Sequence, residues 1–456
     1  MPGGKGFVDS PTWFEERFGF KEGAFAATQG KFEFVGGVLT SKANGAKFNV
    51  GPFETPSLEE LRARLAVAGA SADRLSFENV TGAVKTLIQS SENAGAVFQV
   101  ASQFNCLEMN EPGARPEDGV TRYYCDATQG PACALACPAA TVYRNYFANE
   151  GRGQAGGSGG QIDCLADVGE LLQNKKDRLW KMTNGYGMPD APGGIAKASA
   201  RIAADAELAA RARAALRIGV HWDTEVKGGS HSVCQVFSSA LPVSYAKSVR
   251  SKDWEPLACC ILDATYEATL AAAALLAAER GQRVTLYLTA VGGGAFGNRS
   301  QWIVSAMEKA LKAFEEAPLD VKLVHFGSLP RSTYASLEQG RKPKTKAGAT
   351  AAKPVAAASP AQPPPAEGAA EEGATLARMA ALLARLDENG DGIVDRSEMG
   401  RVLQALLPAL TEEQIGLMFE EADADHDGEV HYAEFLAWLF NSESAVAIRG
   451  IRDARE

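Results

Sequence analysis

The stretch VTLYLTAVGGGAFGNRSQW, residues 284–302, combines three signals that decide the fold of the region around it. The apolar run 284–291 has the length and composition of a buried strand. Glycines follow with the spacing G-x-G-x-x-G between residues 292 and 297, where small residues let backbone N–H groups approach a ligand. Residues 299–314 have the periodicity of a helix. We therefore predict a strand, a glycine-rich loop and a helix whose N-terminus favours an anion.

Apolar runs on both sides of this stretch extend it into a sheet. Residues 94–101 and 232–240 have the pattern of buried strands, a long helix is expected over about 257–280, and residues 320–327 return as a strand. Strand, helix and strand with short connections are typical of a parallel or mixed sheet with helices on both faces. The fold class predicted for the large N-terminal region is therefore α/β.

Polar side chains cluster just after the predicted strand 94–101. Gln103, Asn105 and Glu108 follow it within a few residues. In open α/β sheets, ligands bind outside the carboxyl ends of the strands. We expect Asn105 to contact a ligand, and Glu108 or Asp126 has the chemistry of a general base for water attack. For each carboxylate, a capped turn or a satisfied polar network is the alternative explanation.

The glycine spacing alone is also found in folds that bind nicotinamide dinucleotides. Those folds carry an acidic residue about 20 positions later, at the end of the next strand, where it holds a ribose. Here the next predicted strand ends in His325, Phe326 and Gly327, without an acid. The unit is also the last of its region rather than the first. A dinucleotide site is therefore the weaker hypothesis, and a glycine-rich turn that serves packing alone is a further alternative.

Taken together, these segments resemble the macrodomain, a module that holds ADP-ribose. The loop resembles the family's diphosphate loop, and its candidate ligand-binding residues are Gly292, Gly293, Gly294, Ala295, Phe296, Gly297 and Asn298. VFQVASQFNCLE, residues 97–108, resembles the strand that ends at the family's asparagine, so the resemblance places Asn105 at the distal ribose. Residues 128–147 resemble the first loop and its helix. ENVTGAVKTL, residues 78–87, resembles the family's opening strand, but Ala83 stands where the family carries the aspartate that grips the adenine amino group.

The resemblance implies that the α/β region binds an ADP-ribose-type nucleotide or conjugate, and it leaves open whether the region hydrolyses that ligand. An ADP-ribosyl hydrolase-like activity would use Asn105 and Glu108 as its catalytic residues. No tightly bound organic cofactor is expected. Alternatively, the region is a non-catalytic module that binds protein. An activated Cys133 thiolate with His221 or His231 as its partner is also considered, although we favour a structural cysteine.

Two acidic loops near the C-terminus have the pattern of a calcium site. They are DENGDGIVDRSE, residues 387–398, and DADHDGEVHYAE, residues 423–434. A calcium loop of twelve residues takes its oxygen ligands from positions 1, 3, 5, 7, 9 and 12 and turns at a glycine in position 6, here Gly392 and Gly428. The predicted metal ligands are Asp387, Asn389, Asp391, Ile393, Asp395, Glu398, Asp423, Asp425, Asp427, Glu429, His431 and Glu434.

The segments around the loops agree with this interpretation. Amphipathic helical patterns flank both loops, and Val394 and Val430 each occupy position 8, where they are predicted to pair as a short ladder. The arrangement resembles the EF-hand family, as a paired lobe that binds two Ca²⁺ ions. We favour a calcium sensor over a buffer, with a target helix or the protein's own α/β domain in the groove of the lobe. Calcium would then control ligand binding.

The composition between these regions predicts the domain organisation. An α/β region covers residues 1–335, with 1–75 as an extension or cap. A disordered linker rich in Ala and Pro covers 336–373, since it has too few apolar side chains to offset the entropy of ordering. The EF-hand pair covers 374–445 and a charged tail covers 446–456.

The overall composition restricts the class of protein. The net charge of -10 argues against a nucleic-acid-binding surface. Residues 1–20 carry early acids and no apolar run, which argues against a secretory signal. Eight cysteines among 456 residues are too few for a disulfide scaffold, so we expect reduced, buried thiols and a cytoplasmic location. The apolar stretch 257–281 contains three acids, and we therefore predict a buried helix and no membrane partner.

Overall fold

The computed structural model describes residues 10–69, 73–157, 159–326, 333–341, 393–394 and 430–431. The chain divides into two compact units, Met1–Leu329 with Tyr334–Pro343, and Pro330–Thr333 with Lys344–Glu456. Residues 342–373 of the predicted linker and all side chains of the predicted calcium loops lie outside the described residues. Residues 336–341 of that predicted linker are described and lie in the first unit, where Leu337 is buried and Arg341 pairs with Glu308 at 2.7 Å. The domain boundaries given above stay predictions.

The described strands are β1 (Phe32–Val35), β2 (Val38–Ser41), β3 (Lys47–Asn49), β4 (Phe53–Glu54), β5 (Ser76–Thr81), β6 (Val97–Ala101), β7 (Trp180–Thr183), β8 (Tyr186–Pro189), β9 (Gly219–Glu225), β10 (Ser232–Ser238), β11 (Val284–Leu288), β12 (Leu319–His325), β13 (Ile393–Val394) and β14 (Val430–His431). The described α-helices are α1 (Trp13–Phe18), α2 (Phe25–Gly30), α3 (Leu58–Ala68), α4 (Val84–Gln89), α5 (Gln129–Ala136), α6 (Pro138–Tyr146), α7 (Ala166–Leu171), α8 (Asn174–Asp177), α9 (Gly194–Ala204), α10 (Ala206–Ala215), α11 (Ser251–Arg280) and α12 (Ser300–Ala313). Short 3-10 helices lie at Ser91–Asn93, Pro116–Asp118, Thr121–Cys125, Val243–Tyr245 and Ala335–Glu338.

The main sheet has seven strands in the order β4-β9-β10-β6-β11-β12-β5. From β10 to β5 the neighbouring strands are parallel, whereas β9 is antiparallel to β10 and β4 is antiparallel to β9. The predicted fold class, a mixed sheet flanked by helices, is confirmed. Since β6, β10, β11, β12 and β5 run in the same direction, the segments that follow them emerge at one carboxyl edge.

The predicted strands and helices of this unit are confirmed with small changes at their ends. The apolar runs at 94–101 and 232–240 contain β6 and β10, and the run at 320–327 overlaps β12. The strand β11 and the helix α12 enclose the glycine-rich loop as predicted, with Arg299 at the N-cap of α12. This strand–helix–strand unit closes because β11 pairs with β12 in parallel.

Helix α11 forms the centre of the core and extends over 30 residues. By length and composition it could cross a membrane, and 83% of its most apolar window is buried inside the protein. Its buried side chains include Trp254, Leu262, Tyr266 and Leu270. Asp263 pairs with Lys309 of α12 at 2.8 Å, so the charge on this helix has a partner near the surface. The prediction of a buried helix is confirmed.

The N-terminal segment builds a second apolar cluster next to α5 and α6. Its members include the aromatic side chains Trp13, Phe14, Phe18, Phe20, Phe32 and Phe48. The carboxylate of Glu22 accepts hydrogen bonds from the amides of Val120 and Thr121 and from the hydroxyl of Tyr146. This segment also supplies β4 to the main sheet. The predicted extension is therefore integrated into the α/β unit from residue 10 onward.

The second unit contributes one described feature, a two-residue antiparallel ladder. β13 pairs with β14 so that Val394 faces Val430 and Ile393 faces His431. The predicted pairing of the two position-8 valines is therefore confirmed.

The cysteines are free thiols, as predicted. Cys106, Cys133, Cys137, Cys164, Cys234 and Cys260 are buried, Cys259 is half-buried and Cys125 is exposed. Among the described residues, no group of three or more His, Cys, Asp or Glu side chains could hold a metal ion. Cys133 and Cys137 therefore serve the core of this unit.

Candidate functional site

Three segments meet at the carboxyl edge of the parallel strands. They are the turn 103–109 after β6, the loop 239–245 after β10 and the glycine-rich loop 292–298 after β11. Parallel pairing of β10, β6 and β11 places these segments side by side, and the amide of Ser102 donates to the carbonyl of Ser238 at 2.9 Å. The edge therefore collects residues that are far apart in the sequence.

The glycine-rich loop is closed on itself by Asn298. The amide of Asn298 donates to the carbonyl of Gly292 at 2.8 Å, and its side-chain amide donates to the carbonyl of Leu241 at 2.8 Å. Gly292 and Gly297 have positive φ values of 79° and 66°, which glycine adopts without strain. The start of the loop is held by Tyr266 of α11, whose hydroxyl accepts from the amide of Val291 at 2.9 Å. The loop is therefore held at both ends by buried residues.

Five carbonyl groups of residues 290–296 are bonded within the protein. Those of Ala290, Gly292 and Gly294 accept from the amides of Gly293, Asn298 and Gly297. Two more carbonyls are bonded by the loop after β10. The backbone amide of Ser244 donates to the carbonyl of Phe296 at 3.1 Å, and the hydroxyl of Ser244 donates to the carbonyl of Ala295.

By contrast, three consecutive N–H groups of the loop, those of Gly294, Ala295 and Phe296, donate to no acceptor among the described residues. Gly293, Gly294, Ala295 and Gly297 are exposed. The carbonyls of Gly293 and Gly297 also have no donor among the described residues, so the loop offers solvent three successive donors and two separate acceptors. Arg299 and the N-terminus of the 14-residue helix α12 follow directly and add positive charge. Such an arrangement binds anions.

An aromatic cluster borders the loop. Tyr186 lies between Tyr245 and Phe296, with ring centroids 5.4 Å and 5.3 Å apart, and Tyr245 and Phe296 are 5.7 Å apart. The hydroxyl of Tyr186 donates to the carbonyl of Met109 at 2.6 Å. Burial raises the pKa of Tyr245, so this phenol stays neutral at physiological pH. The cluster joins the glycine-rich loop to the turn 103–109 by contact.

The turn 103–109 is wholly buried, and the side chains of Gln103 and Asn105 are hydrogen-bonded inside the protein, whereas the carboxylate oxygens of Glu108 have no hydrogen-bond partner among the described residues. The side-chain amide of Asn105 donates to the Oε1 atom of Gln161 at 3.0 Å, and its carbonyl accepts from the amide of Leu107 at 3.1 Å. The side-chain Oε1 atom of Gln103 accepts a hydrogen bond from the backbone amide of Met109 at 2.6 Å. Asn105 is 0% exposed, so its side chain faces other residues of the protein. Its predicted ligand contact stays a prediction.

Glu108 is buried against Arg144 of α6. The Nη2 and Oε2 atoms lie 3.5 Å apart, and the two side chains are 0% and 1% exposed. Arg144 also donates from Nε to the carbonyl of Cys106 at 2.9 Å, and its guanidinium lies 3.8 Å from the ring centroid of Phe237. Burial raises the pKa of Glu108 from 4.5 to about 7, against the opposing effect of Arg144. Near neutral pH this carboxyl can hold or release a proton, but it is enclosed by the protein.

Other residues singled out in the sequence have structural partners. The side chain of Gln129 bonds to β6, accepting from the amide of Ala101 at 2.8 Å and donating to the carbonyl of Gln99 at 2.7 Å. Asp126 accepts from the amide of Thr128 at 2.8 Å in a turn. Burial raises the pKa of the Cys133 thiol well above its ordinary value, which leaves it protonated and argues against an activated thiolate.

The far end of the same edge carries Ala83 and Phe326. Ala83 precedes α4 and supplies no side-chain cap, and Phe326 follows β12 with 84% of its surface exposed. A shallow groove of about 460 Å³ lies elsewhere, between α3 and α11, and its lining is apolar apart from Arg64 and Glu279. The carboxyl edge is therefore the better candidate site.

Ser244 is the residue of this site that the sequence did not indicate. It lies in a short loop with the sequence LPVSY, and no motif marks it. Its partners are 51 and 52 positions away, so only the folded chain relates them.

Solved structures resemble the α/β unit distantly. A poly(ADP-ribose) glycohydrolase from Deinococcus radiodurans in complex with ADP-ribose covers 63% of this chain and 92% of its own, at 10% identity and a TM-score of 0.32. The enzyme of the same name from Thermomonospora curvata, bound to the inhibitor ADP-HPD, covers 67% of this chain and 93% of its own, at 11% identity and a TM-score of 0.29. Similarity at this level does not transfer a ligand or an activity to this chain.

The C-terminal segment has closer relatives. The EF-hand domain pair family matches residues 377–440. The probable calcium-binding protein CML27 of Arabidopsis thaliana is 36% identical over 69 residues, which are 15% of this chain and 41% of that protein, so the chain spans less than half of that relative. Polcalcin Nic t 2 of Nicotiana tabacum is 38% identical over 73 residues, 16% of this chain and 77% of its own length. Polcalcin Nic t 1 of the same plant is 35% identical over 82 residues, 18% of this chain and 89% of its own length. Through this segment the chain belongs to the EF-hand family.

Proposed function

We propose that this protein joins a calcium-binding EF-hand pair to an α/β unit that binds a phosphate-bearing ligand of the ADP-ribose type, with calcium controlling that binding. The loop 292–298 carries the proposal for the α/β unit. The N–H groups of Gly294, Ala295 and Phe296 face no described acceptor, while the carbonyls of Gly294, Ala295 and Phe296 are bonded inside the protein, so an anion gains hydrogen bonds from three successive amides.

The diphosphate of the ligand would lie against the loop and the first turn of α12. Two charges on adjacent phosphates match a run of amides followed by Arg299 better than a single carboxylate does. The resemblance of the sequence to the macrodomain names the same loop as the diphosphate loop. The two lines of support are independent, because one rests on hydrogen bonds and the other on motifs.

The remainder of the ligand would extend along the carboxyl edge. Phe326 has an exposed aromatic ring on which a base can stack, and stacking would cost little side-chain conformational entropy. Ala83 offers no carboxylate to an exocyclic amino group, so adenine would be held by stacking more than by hydrogen bonding. We therefore expect weaker selection among purine bases than a carboxylate would provide.

Binding, rather than hydrolysis, is the activity proposed. A general base must reach the attacking water within hydrogen-bond distance. Glu108 has a suitable pKa of about 7, but only 2% of its surface is exposed. Asn105 and Glu108 therefore stay candidate catalytic residues, to be tested by product formation from an ADP-ribosylated peptide.

The test of ligand binding is calorimetry of the full-length protein with ADP-ribose. A Cβ atom at Gly294 would meet nothing within 4 Å, and Gly294 has no positive φ, so Gly294→Ala should fold normally. The added methyl would occupy the space in which a phosphate approaches the amides, so affinity should fall at least tenfold. Gly113→Ala is the matched control, because a Cβ there also meets nothing within 4 Å. Absence of binding at millimolar ADP-ribose, or equal affinity of the Gly294 variant, would contradict the proposal.

The C-terminal pair is proposed to bind calcium through the twelve residues that the loop pattern predicts. Glu398 and Glu434 occupy position 12 of each loop, which supplies both carboxylate oxygens. Replacing both by Gln should abolish tight calcium binding in a competition titration with a fluorescent chelator, whereas replacing one should leave about one site per chain. Two equivalent sites in the double variant would overturn the assignment.

Calcium control separates the proposal from its alternative, a sensor or adaptor whose large domain is a non-catalytic protein-interaction module. ADP-ribose affinity is measured with calcium and with a chelator, in the native protein and in the Glu398→Gln, Glu434→Gln double variant. Control requires a calcium-dependent change in the native protein that the double variant loses. An ADP-ribose affinity that is the same with and without calcium would support a ligand-binding module that calcium does not control.

A further inference from the structure

Ser244 makes two contacts with the glycine-rich loop that no other described residue duplicates. Its amide donates to the carbonyl of Phe296 at 3.1 Å, and its hydroxyl donates to the carbonyl of Ala295. The carbonyl of Ala295 shares its peptide group with the N–H of Phe296, which has no described acceptor, whereas the carbonyl of Phe296 shares its group with the N–H of Gly297, which donates to the carbonyl of Gly294 at 2.9 Å. One residue of the loop after β10 therefore orients two successive peptide groups of the loop after β11.

We propose that Ser244 is a positioning residue that makes this loop selective for anions. The inference rests on the proposed function and adds a specificity determinant to the same site. The C=O and N–H of one peptide group point in opposite directions, so holding the carbonyl of Ala295 toward Ser244 directs the linked N–H of Phe296 away from it. A peptide group released from Ser244 is free to turn and to present its oxygen to the ligand, where it repels phosphate.

The hydroxyl is the part of Ser244 that a substitution can remove. Its amide bond to Phe296 is retained in any variant except proline, whereas the bond to Ala295 depends on Oγ. Ser244 is exposed at the surface, so loss of its hydroxyl leaves no buried cavity and no buried donor. The effect on folding should therefore be small while the effect on the loop is direct.

Close packing at Gly297 supports a specific fit between the two loops. A Cβ atom on Gly297 would lie 2.8 Å from the Cβ atom of Ser244, closer than two such atoms approach each other. Gly297 also has a positive φ of 66°. Gly297 thus allows Ser244 to reach the carbonyls, although the sequence separates the two residues by 53 positions (297 − 244).

The experiment compares Ser244→Ala with the unsubstituted full-length protein in calorimetry with three probes, ADP-ribose, inorganic pyrophosphate and adenosine. Affinity for the two anions should fall about tenfold, since one peptide group of the cradle is no longer oriented, while adenosine binding should stay unchanged. A general loss of structure would weaken all three probes together. Ser91→Ala, at another exposed serine, is the matched control and should leave all three affinities unchanged.

A second variant tests whether Ser244 acts through the loop. In a Gly294→Ala background, where the approach to the amides is already blocked, Ser244→Ala should have little additional effect on pyrophosphate affinity. Equal anion affinities in the native protein and Ser244→Ala, or parallel losses for adenosine and the anions, would overturn this inference and leave the proposed function standing. Failure of the native protein to bind ADP-ribose or pyrophosphate would overturn both.

Discussion

The turn 103–109 and the loop 292–298 lie at the same edge of the main sheet but use their polar groups in opposite ways. In the turn, every residue is buried, and the side chains of Gln103 and Asn105 are bonded to the protein. In the loop, four of the seven residues are exposed, and three amides in succession have no described acceptor. Both segments drew attention for the same reason, polar or glycine-rich sequence at a strand end. The difference lies in their hydrogen bonds: those of the turn are made within the protein and stabilise the fold, whereas the loop has amides available to bind a ligand.

The strain of the two segments differs as well. Cys106 in the turn has a φ of 60°, a left-handed conformation that costs a non-glycine residue about 1 kcal/mol. The loop places glycines at its positive φ positions and pays no such cost. Arg144 and Gln154 donate to the carbonyls of Cys106 and Asn105, which keeps the strained turn closed. The turn therefore depends on its neighbours more than the loop does.

The largest effect is expected at Arg144. Arg144→Met leaves Glu108 buried without its partner and releases the carbonyl of Cys106, so the free energy of unfolding should fall by about 3–5 kcal/mol. Urea denaturation followed by circular dichroism measures it. Arg122→Met is the matched control, because its ion pair with Glu111 at 3.9 Å is partly exposed and should contribute less than about 1 kcal/mol. Equal losses in the two variants would mean that the turn is not braced by Arg144.

The next effect is a pH dependence that arises from Glu108. Its pKa is raised from 4.5 to about 7 in the folded protein, so the folded state holds this proton more tightly than the unfolded state. The stabilisation is fully present below pH 4.5 and is lost as the pH rises through about 7, a decrease of about 3 kcal/mol in the free energy of unfolding.

Glu108→Gln should remove that decrease, because an amide does not titrate. The measurement is the free energy of unfolding of both proteins at about pH 5 and about pH 8, and the difference between their pH slopes isolates this group. Glu111→Gln, at an exposed carboxylate, is the control and should retain the native slope. Parallel slopes in native protein and Glu108→Gln would show that the carboxyl is ionised throughout, as in an open site.

The smallest effect compares Gly185, which lies between β7 and β8 and contacts the turn 103–109, with Gly294 of the glycine-rich loop. A Cβ at Gly185 would lie 2.6 Å from the side chain of Asn105, and Gly185 has a φ of 86°, so Gly185→Ala should cost about 1–3 kcal/mol of stability. Gly294→Ala should change stability by less than about 0.5 kcal/mol. Thermal melting of the two variants side by side provides the measurement. Similar melting temperatures of the Gly185→Ala and Gly294→Ala variants would contradict the distinction between a buried turn and an exposed loop.

Much of the fold followed from local pattern. The runs that became β6, β10 and β11 are mostly apolar and mostly buried, which is the signature of strands covered on both faces, whereas β12 alternates between buried and half-buried residues. The start of α12 next to Arg299 followed from the end of the glycine run. The N-terminal segment was less predictable, because its aromatic side chains meet α5 and α6 through contacts more than 80 residues away in sequence.

The candidate site was predicted in part. The loop 292–298 was identified from its glycines, whereas Asn105 was chosen for its residue type and its place after a strand. The side chain of Asn105 is hydrogen-bonded to Gln161, which lies 56 positions away, and no sequence motif links the two residues. Ser244 was missed for the same reason, since a serine in a short loop carries no signal of its own.

The sequence by itself determined the EF-hand pair, including the pairing of Val394 with Val430, because all ligands of a calcium loop lie within twelve consecutive residues. It also determined the α/β class, because strand and helix periods are local. Only the tertiary structure decided which polar groups at the sheet edge remain free. Hydrogen bonds between the loops after β6, β10 and β11 join residues that are distant in sequence. In that arrangement three successive amides of the glycine-rich loop have no acceptor among the described residues, while Asn105 and Glu108 are enclosed.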